Sequence, residues 1–509
     1  MPFGYLCGMR KARCGPYRVL NWIRMKARGL ILALLGLVLM GGGMPRQNVF
    51  MLTGTVVDTG GHGIGGVVVN DGVGFAVTDS AGRWKLRTDT FNSKFISISV
   101  PAAYRLPHNG ALAAGFFVPV GEAVDRRGCR FVLERRTAPA DSFCYVAISD
   151  PQMRDAAELA MWRRETVASL RRTLSSVGKR REVVGMVLGD VVFDNMKLFD
   201  AYAATVRNLG MTMFHCIGNH DFDKRLPSLH NLLPGVGEYA EQQYCSRFGP
   251  TDYSFNIGRA HVVTLGNIDY QGNGRYVERL TENQLKWLER DLSYVAKGSL
   301  VILNMHAPGW NREWTAANMK NVDRLAAVLR GYNVHVFCGH THFFQNVEVR
   351  RGLYQHNIGA ASGAWWGGDA NRCGAPRGYM LVDVCGDSLT WTYEAAEQHR
   401  DNVMRVYAPG EFKGLDGCVV ANVWDCDSRT KVEWLLDGRR MGKMERFVGT
   451  DFNCGVSKDK AVPSAHLFKC RPGVHSGKVT VVVTDRFGRQ SRSEVAVTSA
   501  VRRHISALN

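Results

Sequence analysis

Five apolar runs, at 144–149, 183–188, 211–217, 300–305 and 334–338, alternate with stretches of helical periodicity at 156–177, 196–209, 282–295 and 316–330. Strand-sized runs separated by helices in this order restrict the middle of the chain, residues 143–397, to a layered α/β domain of about 250 residues. Thr281 with Gln284 makes a capping box at the start of one helix, and Gly331 supplies a left-handed stop after another. Short strands return at 346–349, 379–384 and 389–393.

Each of the five runs ends in residues of one chemical kind. The order is Asp150-Pro151-Gln152, then Gly189-Asp190 with Asp194 four residues on, then Gly218-Asn219-His220-Asp221, then His306, then Gly339-His340-Thr341-His342. Ligands of open α/β sheets bind beyond the carboxyl ends of the strands, so one edge receives Asp150, Gln152, Asp190, Asn219, His306, His340 and His342. Three imidazoles, two carboxylates and two amides without thiolate suit Mn, Fe, Zn or Co rather than Ca or a structural zinc cage. Seven ligands exceed what one catalytic ion needs. Two ions about 3.5–4 Å apart, bridged by a carboxylate, use them all, activate water as hydroxide and clamp phosphoryl oxygens. The chemistry implied is in-line hydrolysis of a phosphoester.

These motifs resemble those of the calcineurin-like metallophosphoesterase superfamily: D-x-H, G-D-x-x-(D), G-N-H-D, a lone His and G-H-x-H. The resemblance covers 143–397 and implies a four-layer α/β/β/α sandwich with two metals. It assigns Asp150, Gln152, Asp190 and His342 to one ion, and Asp190, Asn219, His306 and His340 to the other, with Asp190 bridging. His220 is then the general acid or phosphate-oxygen donor, and Asp221 the group that orients it. This sequence departs from the family twice. Gln152 stands where the family usually has His, and one extra residue precedes Asp194, which is read either as a supporting acid or as a plain turn residue.

Other residues near the motifs divide into core and loop. His215 and His335 fall inside strands and read as core, and Asp223 reads as a loop acid. The loop 359–369 carries Trp365 and Trp366, which serve either as packing between domains or as an aromatic wall beside the metals. Arg377, shortly after it, is a candidate phosphate contact or a solvated charge. Residues 224–247 read as a lid or surface insertion.

The flanks are β-rich. Residues 51–135 read as a β-sandwich resembling carboxypeptidase-regulatory or transthyretin-like modules, and 405–502 as a C-terminal β domain with turns at Asp437-Gly438 and Asp485–Gly488. The three parts together resemble an exported bacterial group. Residues 1–43 read as a signal peptide, with basic residues ahead of an apolar run at 29–43 and Met25 as an alternative start; no membrane span follows, and the periplasm is the expected location. Of 13 cysteines two fall in that leader, and Cys418, Cys426, Cys454 and Cys470 are available to pair after export. The net charge of +18 favours anionic partners without naming one, and no basic run with interleaved aromatics points to nucleic acid. The expected partner is a small-molecule or envelope phosphoester. The competing reading is a non-catalytic envelope protein that keeps this fold as a scaffold.

Overall fold

A computed structural model describes residues 48–177, 181–225, 236–312, 317–396 and 402–498. The leader at 1–43 and residues 226–235 of the expected lid lie outside these.

The core is two sheets packed face to face. The first centres on three parallel strands, β1 (Ser142–Ile148), β2 (Glu182–Val187) and β3 (Thr212–His215). Antiparallel strands Gly378–Cys385 and Ser388–Ala395 extend it on the β1 side. The second sheet contains β4 (Leu300–Asn304) and β5 (Asn333–Cys338), flanked by Tyr253–Ile257 and Ala260–Thr264 on one side and by Leu353–Asn357 and Gln345–Arg350 on the other.

Period-two alternation sorts the side chains into layers. Phe143, Tyr145 and Ala147 of β1 pack between the sheets with Met186, Ile302 and Phe337. The alternate residues Cys144, Val146 and Ile148 pack under Trp162, Leu170 and Tyr202 of the outer helices. On the far side Leu285, Leu288 and Leu325 cover Val301, Leu303 and Val336. The result is a four-layer α/β/β/α sandwich. The Tyr145 hydroxyl donates to Asn304 Oδ1 at 2.5 Å across the inter-sheet layer, so the polar end of this buried ring is satisfied.

Two local readings need correction. The stretch 156–177 is helical but interrupted: Ala156–Trp162 and Ala168–Val177 are joined by a π-helical segment, Arg163–Val167. The helix expected at 316–330 is only Val322–Val328, because Asn321 takes a left-handed φ of 58° and starts it late. The short hairpin His108–Asn109 and Leu112–Ala113 of the N-terminal region joins the first sheet beside β3, where Leu112 pairs with Met213 and covers what would be an open edge. The capping box at Thr281 and the left-handed Gly331 (φ 89°) are as read from the sequence.

The N-terminal region forms a three-stranded and a four-stranded sheet, and the C-terminal region two four-stranded sheets. Asp437 and Gly438, both at positive φ (48° and 85°), make the tight turn between Lys431–Leu436 and Arg439–Lys443. Cys418, Cys426, Cys454 and Cys470 are all free thiols. Among the described residues no helix is long and apolar enough to cross a membrane.

A buried histidine pair sits in the second sheet. His335 Nδ1 lies 3.0 Å from His356 Nε2, the rings stack, and His356 Nδ1 lies 2.7 Å from Asn346 Oδ1. Burial, then the nearby Arg486 charge, lowers His335 to about 3, and burial also holds His356 well below its usual value. The unfolded chain therefore binds more protons than the folded one as pH falls below about 6.5. Stability from this pair is expected to be constant above pH 6.5 and to drop by up to about 1.4 kcal/mol per pH unit per histidine below it. Urea unfolding across pH 4–8 checks this, and His335→Gln should flatten the slope.

Candidate metal centre

All five motif loops leave the same edge of the two sheets, and they turn sharply. Asp150, Gln152, Asp190, His340 and His342 all take positive φ, from 42° to 70°. Left-handed geometry costs a non-glycine residue about 1–3 kcal/mol, so its concentration at one edge marks a site whose side-chain directions outweigh local comfort. The neighbouring glycines are there for space. A Cβ on Gly218 would fall 2.2 Å from Asp190 Oδ1, one on Gly189 2.5 Å from His306 Nδ1, and one on Gly339 2.4 Å from Asp150 Oδ2.

One cluster converges on His306, whose Nδ1 donates to the Leu188 carbonyl at 2.7 Å and so leaves Nε2 as the electron-pair donor. That Nε2 lies 3.1 Å from Asn219 Oδ1, 3.1 Å from His340 Nδ1 and 3.4 Å from Asp190 Oδ2. Ligand atoms of Asp190, His306 and His340 all fall within 4.8 Å of one another. The other ring nitrogen of His340 meets Glu278 Oε1 at 3.1 Å. Burial opposes ionisation of Asp190, but His306, His220 and His340 outweigh it and hold its carboxyl far below the usual range. Burial likewise pulls His306 down, and the Asp190 carboxylate overrides it, raising the imidazole to about 10.

Beside that cluster lie Asp150, Gln152 and His342. Asp150 Oδ2 accepts from the Ser149 hydroxyl and from the His340 N–H. His342 donates Nδ1–H to the Gly363 carbonyl. The remaining atoms, Asp150 Oδ1, Gln152 Oε1 and His342 Nε2, are buried without a hydrogen-bond partner among the described residues. Gln152 Nε2 donates to Asp190 Oδ2 at 2.5 Å, linking the two groups.

His220 stands at the rim, stacked on Phe193 with ring centroids 3.9 Å apart. Asp221 does not orient it, which corrects the reading from the motif. The Asp221 carboxylate turns back to accept the N–H groups of Gly218 (3.0 Å) and Val192 (3.3 Å). Burial, with Asp190 nearby, pushes it up to about 7. Asp194 takes that place instead, with Oδ1 2.8 Å from His220 Nδ1 and 2.5 Å from Lys224 Nζ.

The tryptophan loop divides by residue. Trp365 stacks on His342 at 4.5 Å, with Lys460 and Arg372 on the same ring, so it lies beside the site. Trp366 is buried and donates to the Pro151 carbonyl at 2.9 Å, bracing the first motif loop rather than lining a cleft. Arg377 is not a phosphate contact: it is buried, paired with Glu165 at 2.9 Å and set against the Trp366 ring. Arg377→Ala is expected to cost about 1–3 kcal/mol by removing one charged partner of the buried Glu165, with Arg164 still paired to its other oxygen at 3.2 Å and KM unchanged. Thermal melts and saturation kinetics on the same sample check this.

His215 and His335 are core residues, His215 lying 3.0 Å from the Tyr202 hydroxyl. Asp223 pairs with Arg225 and Gln243. Three groups that touch the site have no motif signal: Glu278, Lys224, and Asn267, whose Oδ1 accepts the His306 and Ala307 N–H groups.

Residues 145–344 match the family described as Calcineurin-like phosphoesterase. Residues 51–136 and 355–490 match the companion families described as its N terminal and C terminal. The chain belongs to the calcineurin-like metallophosphoesterase superfamily, which implies a phosphoester hydrolase. Among solved structures it is similar to a dimetal phosphatase from Danio rerio at 15% identity, covering 50% of this chain and 96% of that one, with TM-score 0.35. It is also similar to a purple acid phosphatase from yellow lupin seeds (12% identity, 69% and 67% covered, TM-score 0.38). A third is a 5'-nucleotidase precursor from Thermus thermophilus (15%, 50% and 54%, TM-score 0.29). No curated protein matches the chain.

Proposed function

We propose that the chain is an exported hydrolase that cleaves phosphoesters at a centre of two divalent ions. The observation that carries this reading is the convergence of three buried atoms that make no hydrogen bond, Asp150 Oδ1, Gln152 Oε1 and His342 Nε2, the first and last 3.6 Å apart, beside the cluster of Asp190, Asn219, His306 and His340. Buried polar atoms are almost always hydrogen-bonded, so three together fit a bound cation. Asp150, Gln152, Asp190 and His342 would hold one ion, and Asp190, Asn219, His306 and His340 the other; the donors suit Mn, Fe, Zn or Co. When bound, such ions polarise phosphoryl oxygens and lower the pKa of water.

The chain's own groups do the rest. His220, half-buried at the rim, gives a proton to the leaving oxygen as the phosphorus–oxygen bond breaks on the side opposite the attacking water. Asp194 and Lys224 fix the direction of its ring. Asp221 holds the 219–221 turn that presents Asn219. Export rests on the leader read at 1–43 and places the substrate in the envelope.

One observation favours a second reading, a non-catalytic envelope scaffold: the Gln152 amide donates to Asp190 Oδ2, an oxygen a bridging ligand needs. The test is turnover of p-nitrophenyl phosphate and bis-p-nitrophenyl phosphate by metal-stripped protein reloaded with Mn, Zn, Fe or Co. Gln152→His runs beside it. The hydrolase reading expects metal-dependent turnover in the wild type, and about 10–100-fold tighter binding of the weaker ion in Gln152→His. Fewer than two ions bound by the wild type, with no turnover on either ester, would favour the scaffold.

A further inference from the structure

A cavity of about 850 Å³ lies where the N-terminal sandwich meets the core, alongside the hairpin Ile268–Gly272 and Arg275–Glu278. Ligand pockets commonly measure about 300–1,000 Å³, so it has room for one or two sugar-sized rings. Its walls are pinned together at two points. Trp287 Nε1 donates to Asn70 Oδ1 at 3.1 Å, and Lys94 pairs with Glu241.

The cavity abuts the metal centre. Ile217 and Phe222, which line it, bracket the segment that carries Asn219 and His220. Tyr276 also lines it, and its ring centroid lies 5.9 Å from that of His340.

The lining has a definite chemistry. Asn70, Asn92, Gln271 and Asn283 offer amides that both donate and accept, suited to hydroxyl groups. Tyr270, Tyr276 and Trp287 add broad aromatic surface. Five acids line it (Asp71, Glu238, Glu241, Asp252 and Asp269), against Lys94 and Arg275; Arg279 pairs with Asp269, which leaves a surplus of two negative charges. The whole chain carries +18, so the negative surplus is local. Burial pushes the Asp252 carboxyl up to about 6, with Glu241 adding to the effect, a strain that a bound cation would relieve.

We propose that this cavity holds the alcohol part of the phosphoester, and that this part is an amine-bearing polyol of the amino-sugar type. The proposal rests on the hydrolase reading above. A second phosphate or a carboxylate on the alcohol is repelled by the lining acids, whereas hydroxyls meet the amides and an ammonium meets the surplus charge.

The test uses the metal-loaded full chain with three monoesters: glucosamine 6-phosphate, glucose 6-phosphate and p-nitrophenyl phosphate. Three variants change the cavity and none touches a metal-centre residue. Asp252→Asn keeps the acceptor for the Gly266 N–H, Glu238→Gln removes an exposed charge, and Asn92→Trp fills space from an exposed position. Binding of glucosamine and of glucose, both without phosphate, is measured in parallel by calorimetry.

The wild type should prefer glucosamine 6-phosphate to glucose 6-phosphate by at least about tenfold in kcat/KM, as one well-placed ion pair of about 1.4 kcal/mol gives. That ratio should fall several-fold in Asp252→Asn and Glu238→Gln. Asn92→Trp should lower both sugar esters, with p-nitrophenyl phosphate turnover within about twofold in all three. A wild-type ratio near one, or a ratio unmoved by the variants, overturns the proposal. Absent glucosamine binding by protein that turns over p-nitrophenyl phosphate overturns it too, and leaves the hydrolase reading standing. Glucosamine bound tightly over glucose, with two ions present and no ester cleaved, overturns the hydrolase reading and its substrate role for the cavity together.

Discussion

Asp190→Asn is expected to lower hydrolysis by about a thousandfold or more while the chain stays folded. Asp190 reaches side chains of both halves of the centre: Gln152 Nε2 lies 2.5 Å and His306 Nε2 3.4 Å from its Oδ2. Losing one preorganised electrostatic group in a buried site commonly costs about 10²–10³ in kcat, and a residue shared by two ions removes more than one such contribution. The fold survives for an equally local reason. An asparagine Oδ1 still accepts the His220 N–H that Asp190 Oδ1 now accepts at 2.8 Å, and the variant removes a buried charge. The readouts are kcat on the preferred ester and the melting temperature of the metal-free protein.

Gly339→Ala is expected to be worse for the fold and equally damaging to the site. The added Cβ would fall 1.6 Å from Ser149 Oγ and 2.4 Å from Asp150 Oδ2, positions that real Cβ atoms do not occupy. The Ser149 rotor or the Asp150 loop must move, and Asp150 is already at a φ of 48° with few alternatives. Overpacking of this kind costs about 1–3 kcal/mol, and displacement of Asp150 lowers metal affinity by a further 10–100-fold or more. Adding Ser149→Ala removes the closest clash but not the one with Asp150, so the double variant should regain stability without regaining metal binding. Gly121→Ala is the matched control, since nothing lies within 4 Å of its Cβ. Melting temperatures and metal titrations of the four proteins check the argument.

Much of the centre was legible because its residues follow strands. A run such as Val183–Val187, buried on both faces, leaves Asp190 at the sheet edge whatever the helices do. Contacts made between elements were not legible. The family resemblance made Asp221 the partner of His220, yet in the short turn Asn219–Asp221 successive side chains point about 120° apart. Asp221 folds back on Gly218, and Asp194 meets His220 from another loop. Arg377 follows a glycine-rich loop and read as available, but its partner Glu165 sits in a π-helical segment that no sequence period announces. The hairpin at 108–113 has strands of two residues each, too short to carry a pattern, and only pairing with β3 makes it part of the core.

The measurement that bears most directly on the central claim is the number of divalent ions bound per chain, counted together with turnover. Metal-stripped wild type and Asp190→Asn would be loaded with Mn or Zn and freed of excess, and the metal counted by elemental analysis as ester hydrolysis is recorded on the same samples. The account predicts two ions per wild-type chain, turnover that rises with loading, and fewer than two ions with no turnover in Asp190→Asn. Two ions in both proteins, or turnover in the wild type that does not depend on metal, would contradict it.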